Sequence, residues 1–297
     1  MRILITGGTG LIGRALCRYW HAQGHECIVW SRSPETVPQL CSGARGIRHL
    51  QELRDEAAPD AVVNLAGAPI ADRPWTPQRR QLLWDSRVAL TRTLVDWMAQ
   101  LDKRPGVLVS GSAVGFYGDG GEQLLDESSS PSQKDFGSRL CLAWEQEAER
   151  AREYGVRVVV VRTAPVLSSE GGILSRLRLP FRLGLGGRLG KGQQWMPWIH
   201  IADEVGLIDH LLHDASCSGP YNACAPHPVR NAEFTKQLGR VWHRAAILPA
   251  PAWVLRLMLG EMSVLLLGGQ RLAPHRTLEA GYQFHYVDLR EALDQAC

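Results

Sequence analysis

Residues 2–13 read RILITGGTGLIG, and the reading of this stretch decides the fold. RILIT is a short apolar run closed by glycines. Residues 11–23 follow as a helix pattern, with Ile12, Ala15, Leu16 and Tyr19 at the i, i+3, i+4, i+7 spacing of one face. A strand that passes through glycines straight into a helix brings backbone amides and a helix N-terminus to one point, and side chains there would obstruct a pyrophosphate. Gly7, Gly10 and Gly13 have the spacing G-x-x-G-x-x-G. Alone, such a run reads either as a tight strand–helix turn or as a nucleotide loop. Its place after the first strand, inside a strand–helix–strand unit, favours the second.

Working outward, strand and helix signals alternate. CIVWS, AVVNLA, GVLVSGS and VRVVVVR read as further strands, and residues 78–101 and 135–154 as helices. Strands that are apolar throughout and separated by helices argue for α/β architecture: a Rossmann-type, doubly wound parallel sheet covered on both faces. After about residue 165 the composition shifts to the glycine- and arginine-rich FRLGLGGRLGKGQQ, then WIHIADEVGLIDHLL reads as a strand end leading to a helix. PYNACAP reads as a last strand. The expected organisation is a Rossmann domain over 1–165, with 199–225 returning to it, and a smaller C-terminal substrate lobe built from 166–198 and 226–297.

The second strand ends in WSRS. Ser31 and Arg32 stand about where a carboxylate would hold an adenosine ribose, and an arginine there suits a 2′-phosphate instead. The bland alternative is a solvated loop arginine.

The totals exclude several classes. With 297 residues, 45% hydrophobic and 21% charged, the chain fits a globular protein of one large and one smaller domain. A net charge of +3 without a basic stripe gives no argument for nucleic acid. The seven cysteines are scattered without C-x-x-C, so reduced thiols are expected rather than a disulfide framework or metal site. No signal-peptide pattern opens the chain, and a cytoplasmic location is expected. AWVLRLMLGEMSVLLLGG is interrupted by Arg256 and Glu261, which makes it a poor membrane span and a reasonable buried helix or helix pair. A small-molecule partner is therefore expected, with neither nucleic acid nor membrane; the oligomeric state stays open.

TGGTGLIG, NLAG at 64–67 and SGSAVGFYG at 110–118 together resemble the extended branch of the short-chain dehydrogenase/reductase superfamily. FRLGLGG, WIHIADEVGLI, AEFTKQLGR and GQRLAPHRTLEAGYQF resemble its atypical, nucleoside-diphosphate-sugar epimerase-like "epimerase family" proteins. The resemblance spans nearly the whole chain, and its second-half motifs are the more selective. It implies that Gly7, Gly10, Leu11, Ile12 and Gly13 form the pyrophosphate loop. Ser31 and Arg32 would then meet the adenosine phosphate of NADP(H), and Leu65, Ala66 and Gly67 would line adenine and ribose. It further implies that Arg87 faces the cofactor, that Ala164 and Pro165 lie near the nicotinamide, and that Ser112 binds the reacting oxygen.

Active relatives also carry a tyrosine and a lysine four residues apart on the helix that here begins DFGSRLCLAWEQE. Depending on whether Trp144 or Glu145 takes the family's glutamate position, the tyrosine position holds Phe136 or Gly137 and the lysine position Leu140 or Cys141. None of the six tyrosines has a lysine four residues on. Phe136, Leu140, Trp144 and Ala148 instead make an apolar stripe, so this helix is expected to be scaffold. Tyr117, five residues after Ser112, is the best stand-in acid, with a purely packed Phe116-Tyr117 as the alternative. Asp126, Glu127, His200 and Cys141 are weaker candidates. Arg182, Arg188 and Lys191 either meet an anionic substrate or are solvated. Two functions remain open: an NADP(H)-dependent oxidoreductase or epimerase acting on a small polar, sugar-like substrate, and a non-catalytic NADP(H)-binding sensor.

Overall fold

The computed structural model describes residues 1–297. β1 (Arg2–Thr6) runs into α1 (Leu11–Ala22), followed by β2 (Glu26–Trp30), β3 (Arg45–Ile47) and β4 (Ala61–Asn64). Next come α2 (Pro77–Trp84), α3 (Leu90–Ala99), β5 (Val107–Ala113), α4 (Phe136–Glu149) and β6 (Arg157–Thr163). The second part contains α5 (Gly172–Arg182), α6 (Ile201–His213), β7 (Gly219–Ala223), α7 (Asn231–Val241), α8 (Ala252–Leu259) and α9 (Leu289–Ala296). The seven strands form one sheet in the order β3-β2-β1-β4-β5-β6-β7, and every pairing is parallel. The direction of winding reverses at β1, and in such sheets the crevice at that switch point is where ligands bind.

Period-two alternation along the strands builds two cores. Ile3, Ile5, Val63, Val109 and Val161 face one way, onto Leu16 of α1 and Leu207 and Leu211 of α6. Leu4, Val62, Leu108 and Val160 face the other way, onto Leu94 and Met98 of α3 and Ala148 of α4. Both faces are thus covered, which is why the strands read as unbroken apolar runs. A third core joins Leu174 and Phe181 of α5, Phe234 and Leu238 of α7, and Leu289 and Leu293 of α9. The chain end is tied back to the sheet region where Arg271–Leu272 pairs with Leu124–Leu125.

Three local features differ from the sequence reading. The strand Arg45–Ile47 carries no sequence signal, since three residues are too few for alternation to show. The expected helix over 78–101 is interrupted by one π-turn, Asp85–Ala89, in which the Leu90 N–H bonds to the Asp85 carbonyl. The helix expected over 135–154 ends as α-helix at Glu149 and tightens into a 3₁₀ turn through Tyr154.

Candidate cofactor and substrate site

Gly7 and Gly13 of the first loop are required by contact. Gly7 has φ +70°, a left-handed conformation that disfavours a side chain. A Cβ on Gly7 would stand 2.6 Å from the Leu65 carbonyl and 2.8 Å from the Ala66 nitrogen. A Cβ on Gly13 would stand 2.4 Å from the Gly7 oxygen, so α1 packs directly on the loop. Gly10 caps α1 without a side chain to take its first amides, which leaves them directed at the crevice. Ile12 packs into the core beneath, and a Cβ on Gly171 or Gly172, in the strap that leads into α5, would stand 3.5 or 3.3 Å from the Leu11 side chain.

Leu65, Ala66 and Gly67 are held by a buried polar chain. The Thr6 hydroxyl donates to Asn64 Oδ1 at 2.7 Å and accepts from the Ala66 N–H at 3.1 Å. Asn64 Nδ2 in turn donates to the Thr91 and Ser110 hydroxyls at 2.7 and 3.2 Å, and Trp144 Nε1 donates to Thr91 at 3.0 Å. Every member has a partner, as buried polar groups require.

Ser31 and Arg32 lie at the carboxyl end of β2, beside the loop. Ser31 Oγ accepts from the Ser33 N–H at 3.2 Å, and Arg32 is exposed without an ion pair. Pro165 follows β6, and its carbonyl accepts from the Ile199 N–H at 3.1 Å.

The π-turn carries Arg87 to the same edge. One extra residue in a helical turn re-aims the side chains around it. The guanidinium lies against Gly67, where a Cβ would stand 2.7 Å from Cζ, and 5.4 Å from the Trp144 ring. Its hydrogen bonds are long, 3.5 Å to the Leu83 carbonyl and 3.4 Å to Ser86 Oγ. Burial lowers its pKa, and the nearby Cys141 thiol offsets this only in part. A half-buried cation without a carboxylate partner is costly unless an anion meets it.

Ser112 and Tyr117 belong to one buried network. Ser112 Oγ donates to Glu145 Oε1 at 2.6 Å. Arg162 binds both oxygens of Glu145, at 2.9 and 2.8 Å, and donates from Nη1 to the Tyr117 hydroxyl at 2.9 Å. Tyr117 donates to Asn222 Oδ1 at 2.7 Å, and the Asn222 N–H donates to Glu127 Oε1 at 2.9 Å. Burial alone would lower the Arg162 pKa, but Glu145 outweighs it and the net shift is upward. Burial pushes Tyr117 up to about 12. A phenol so placed is a poor proton donor near neutral pH.

The helix face expected to be scaffold is packed. Phe136, Leu140 and Trp144 are buried with Trp75, Leu83 and Met262. Cys141, on the adjoining face, is buried beside Ser112 and Ala113; burial, then the Glu145 charge, pushes its thiol up to about 12. Glu261 accepts from the Phe136 N–H at 2.8 Å and pairs with Arg80, so the C-terminal region closes over the start of α4. Of the weaker candidates, Asp126 is bound within its own turn by Ser128 and Ser129. His200 caps α6 and lies 3.9 Å from the Tyr286 ring.

The sequence reading missed Arg162 and its pairing with Glu145; Glu127, expected only as a weaker loop candidate, accepts from Arg162 through its carbonyl at 3.4 Å. One signal was available: Arg162 is a charge inside an otherwise apolar strand, where only a buried partner tolerates it.

Residues 3–224 match the NAD dependent epimerase/dehydratase family. The chain belongs to this family. Residues 250–296 match a second family, a domain of unknown function named DUF1731. Among family members, the chain is 36% identical to the epimerase family protein YfhF of Bacillus subtilis, over 99% of this chain and 97% of that protein. It is 39% identical to the chloroplastic SDR39U1 homolog of Arabidopsis thaliana, over 99% of this chain and 86% of that one. The crystal structure of human epimerase family protein SDR39U1 with NADPH superposes with a TM-score of 0.90 at 36% identity, covering 100% of this chain and 99% of that one. UDP-glucuronic acid 4-epimerase from Bacillus cereus, at 16% identity and TM-score 0.80, shares the fold.

Proposed function

We propose that this member of the family binds NADP(H) across the carboxyl edge of the sheet and acts as an oxidoreductase or epimerase-like enzyme on a small polar, sugar-like substrate. The observation that carries the reading is the Gly7–Gly13 cradle, in which Gly7 and Gly13 have no room for a Cβ, together with the carboxylate-free guanidinium of Arg87 at the same edge. Residues 1–165 with 199–225 form the cofactor domain, and 166–198 with 226–297 the substrate lobe. Gly7, Gly10, Leu11, Ile12 and Gly13 hold the pyrophosphate; Ser31 and Arg32 hold the 2′-phosphate; Leu65, Ala66, Gly67 and Pro165 border the remainder. The SDR39U1 crystal structure with NADPH supports the choice of cofactor. When bound, the nicotinamide gives or takes hydride. Arg87 holds positive charge where negative charge develops on a carbonyl oxygen, a role for fixed cations in dry sites. Ser112 orients the substrate oxygen from β5, and Tyr117 fixes Arg162 beneath it.

A second reading, a non-catalytic NADP(H) sensor, is favoured by one observation: the Ser112 and Tyr117 hydroxyls are both already bound within the protein. The deciding experiment is an NADPH titration followed by a screen for NADPH oxidation with small hydroxy-carbonyl compounds. Tight binding with turnover supports the enzyme. Tight binding with no turnover across the panel supports the sensor. Absence of binding defeats both.

A further inference from the structure

α8, AWVLRLML, has no buried residue although six of its eight side chains are large and apolar or aromatic. Trp253 is 68% exposed, Leu257 80% and Met258 68%. Leu183 and Leu185 after α5, and Ile247 before α8, are exposed as well. These residues lie on adjoining segments. The segments that carry them are joined by backbone hydrogen bonds from Gly190 to the Ala250 carbonyl at 2.8 Å, from Ala250 to the Arg188 carbonyl at 2.9 Å and from Leu248 to the Gly186 carbonyl at 3.3 Å. Singly exposed apolar residues need no explanation, but a contiguous group marks a surface that something covers.

The charge of the same segments bears on what covers it. The two segments, residues 171–202 and 234–260, contain nine lysines and arginines and no aspartate or glutamate. The whole chain is nearly balanced, with 33 basic and 30 acidic residues. Among the nine, Arg176 is paired with Asp72. Arg182, Arg188, Lys191, Arg244 and Arg256 are exposed and without an ion pair. Aromatic and aliphatic side chains on a short helix, in segments that carry unpaired cations and no carboxylate of their own, match the chemistry of an anionic lipid surface: the apolar side chains enter the acyl boundary and the cations meet the headgroups. No helix is long and apolar enough to cross a membrane, and α8, at about 12 Å, lies along a surface instead of spanning it.

We propose that the face formed by residues 183–191 and 247–258 adsorbs to membranes rich in anionic phospholipid. The proposal departs from the sequence-based expectation of no membrane partner and is independent of the cofactor.

The test is co-sedimentation of the full chain with vesicles of phosphatidylcholine mixed with phosphatidylglycerol, and of phosphatidylcholine alone, at low and high salt. Binding to the mixed vesicles, little to the neutral ones, and release by salt are expected. Trp253→Ser with Leu257→Ser, and separately Arg182→Glu with Arg256→Glu, should each weaken binding at least about tenfold while leaving the melting temperature nearly unchanged, because all four side chains are exposed. Absence of binding to the mixed vesicles, equal binding to both kinds, or indifference to these substitutions overturns the proposal. So does a dimer that the Trp253 variant dissociates while vesicles bind neither form; the face would then belong to a second copy of the chain.

Discussion

Arg162 binds both carboxylate oxygens of Glu145, at 2.9 and 2.8 Å, with its guanidinium stacked 3.5 Å from the Phe116 ring centroid. Both side chains are nearly inaccessible, so neither charge has water to fall back on. Breaking such a pair from one side strands the other charge. Arg162→Met alone should therefore cost about 3–5 kcal/mol in urea unfolding, and adding Glu145→Gln should recover part of that loss. Additive losses in the double variant would mean the two residues are not coupled as the geometry indicates.

The proposed 2′-phosphate contact rests on Arg32, which is exposed and makes no ion pair within the protein. NADPH should bind more tightly than NADH. Arg32→Ala should narrow the difference by about 1–3 kcal/mol, the range for a charge-assisted hydrogen bond. Fluorescence titration with both nucleotides measures this. Equal affinities in the unaltered protein would remove the 2′-phosphate argument.

Glu204 is fully buried on α6. Its Oε1 accepts from the Thr163 hydroxyl at 2.7 Å and its Oε2 has no partner. Burial raises its pKa from 4.5 to about 8, only partly offset by the Thr163 bond. A carboxyl whose folded pKa is raised holds its proton better folded than unfolded. Its contribution is fully present below the unfolded pKa and is lost as pH climbs to the folded value. Stability should therefore fall by up to about 1.4 kcal/mol per pH unit across that window. Glu204→Gln, which keeps the shape and cannot ionise, should flatten the profile between pH 5 and about 8. Parallel profiles in urea unfolding for the two proteins would rule Glu204 out as the cause.

The sheet was legible because its strands are buried on both faces and so read as apolar runs, and the glycine loop because backbone contact excludes side chains. Arg87 was expected to face the cofactor by resemblance, while the π-turn that sets it against Gly67 was not legible: such a turn depends on one residue of helical register, which a periodicity count over 78–101 averages away. The Glu145–Arg162–Tyr117–Asn222 chain was hidden for another reason. Its members come from α4, β6, the turn after β5, and β7, and only tertiary folding joins them. The exposed apolar face of α8 also escaped, since its sequence reads like a buried helix and exposure is not written in composition.

Packing and chemistry on α4 can be separated by substitution. Neither Phe136 nor Leu140 can exchange a proton, and Gly137 has no side chain. Cys141 alone could titrate, but its thiol is buried and pushed up to about 12, so almost none is thiolate near neutral pH. Cys141→Ser should leave NADPH affinity and any turnover nearly unchanged. Ser112→Ala removes the hydroxyl that donates to Glu145 at 2.6 Å and stands at the carboxyl end of β5. It should depress turnover and spare cofactor affinity. Arg87→Met acts on the third element of the edge. It removes a charge held against Gly67, and should weaken NADPH binding or slow turnover by about tenfold or more, equivalent to roughly 1.4 kcal/mol. The measurements are NADPH titration and initial rates on whichever carbonyl substrate the screen yields, each with a melting curve to confirm folding. Loss of turnover in Cys141→Ser, with the fold and NADPH binding intact, would show that the helix does carry chemistry and that its packed face is not the whole of its role.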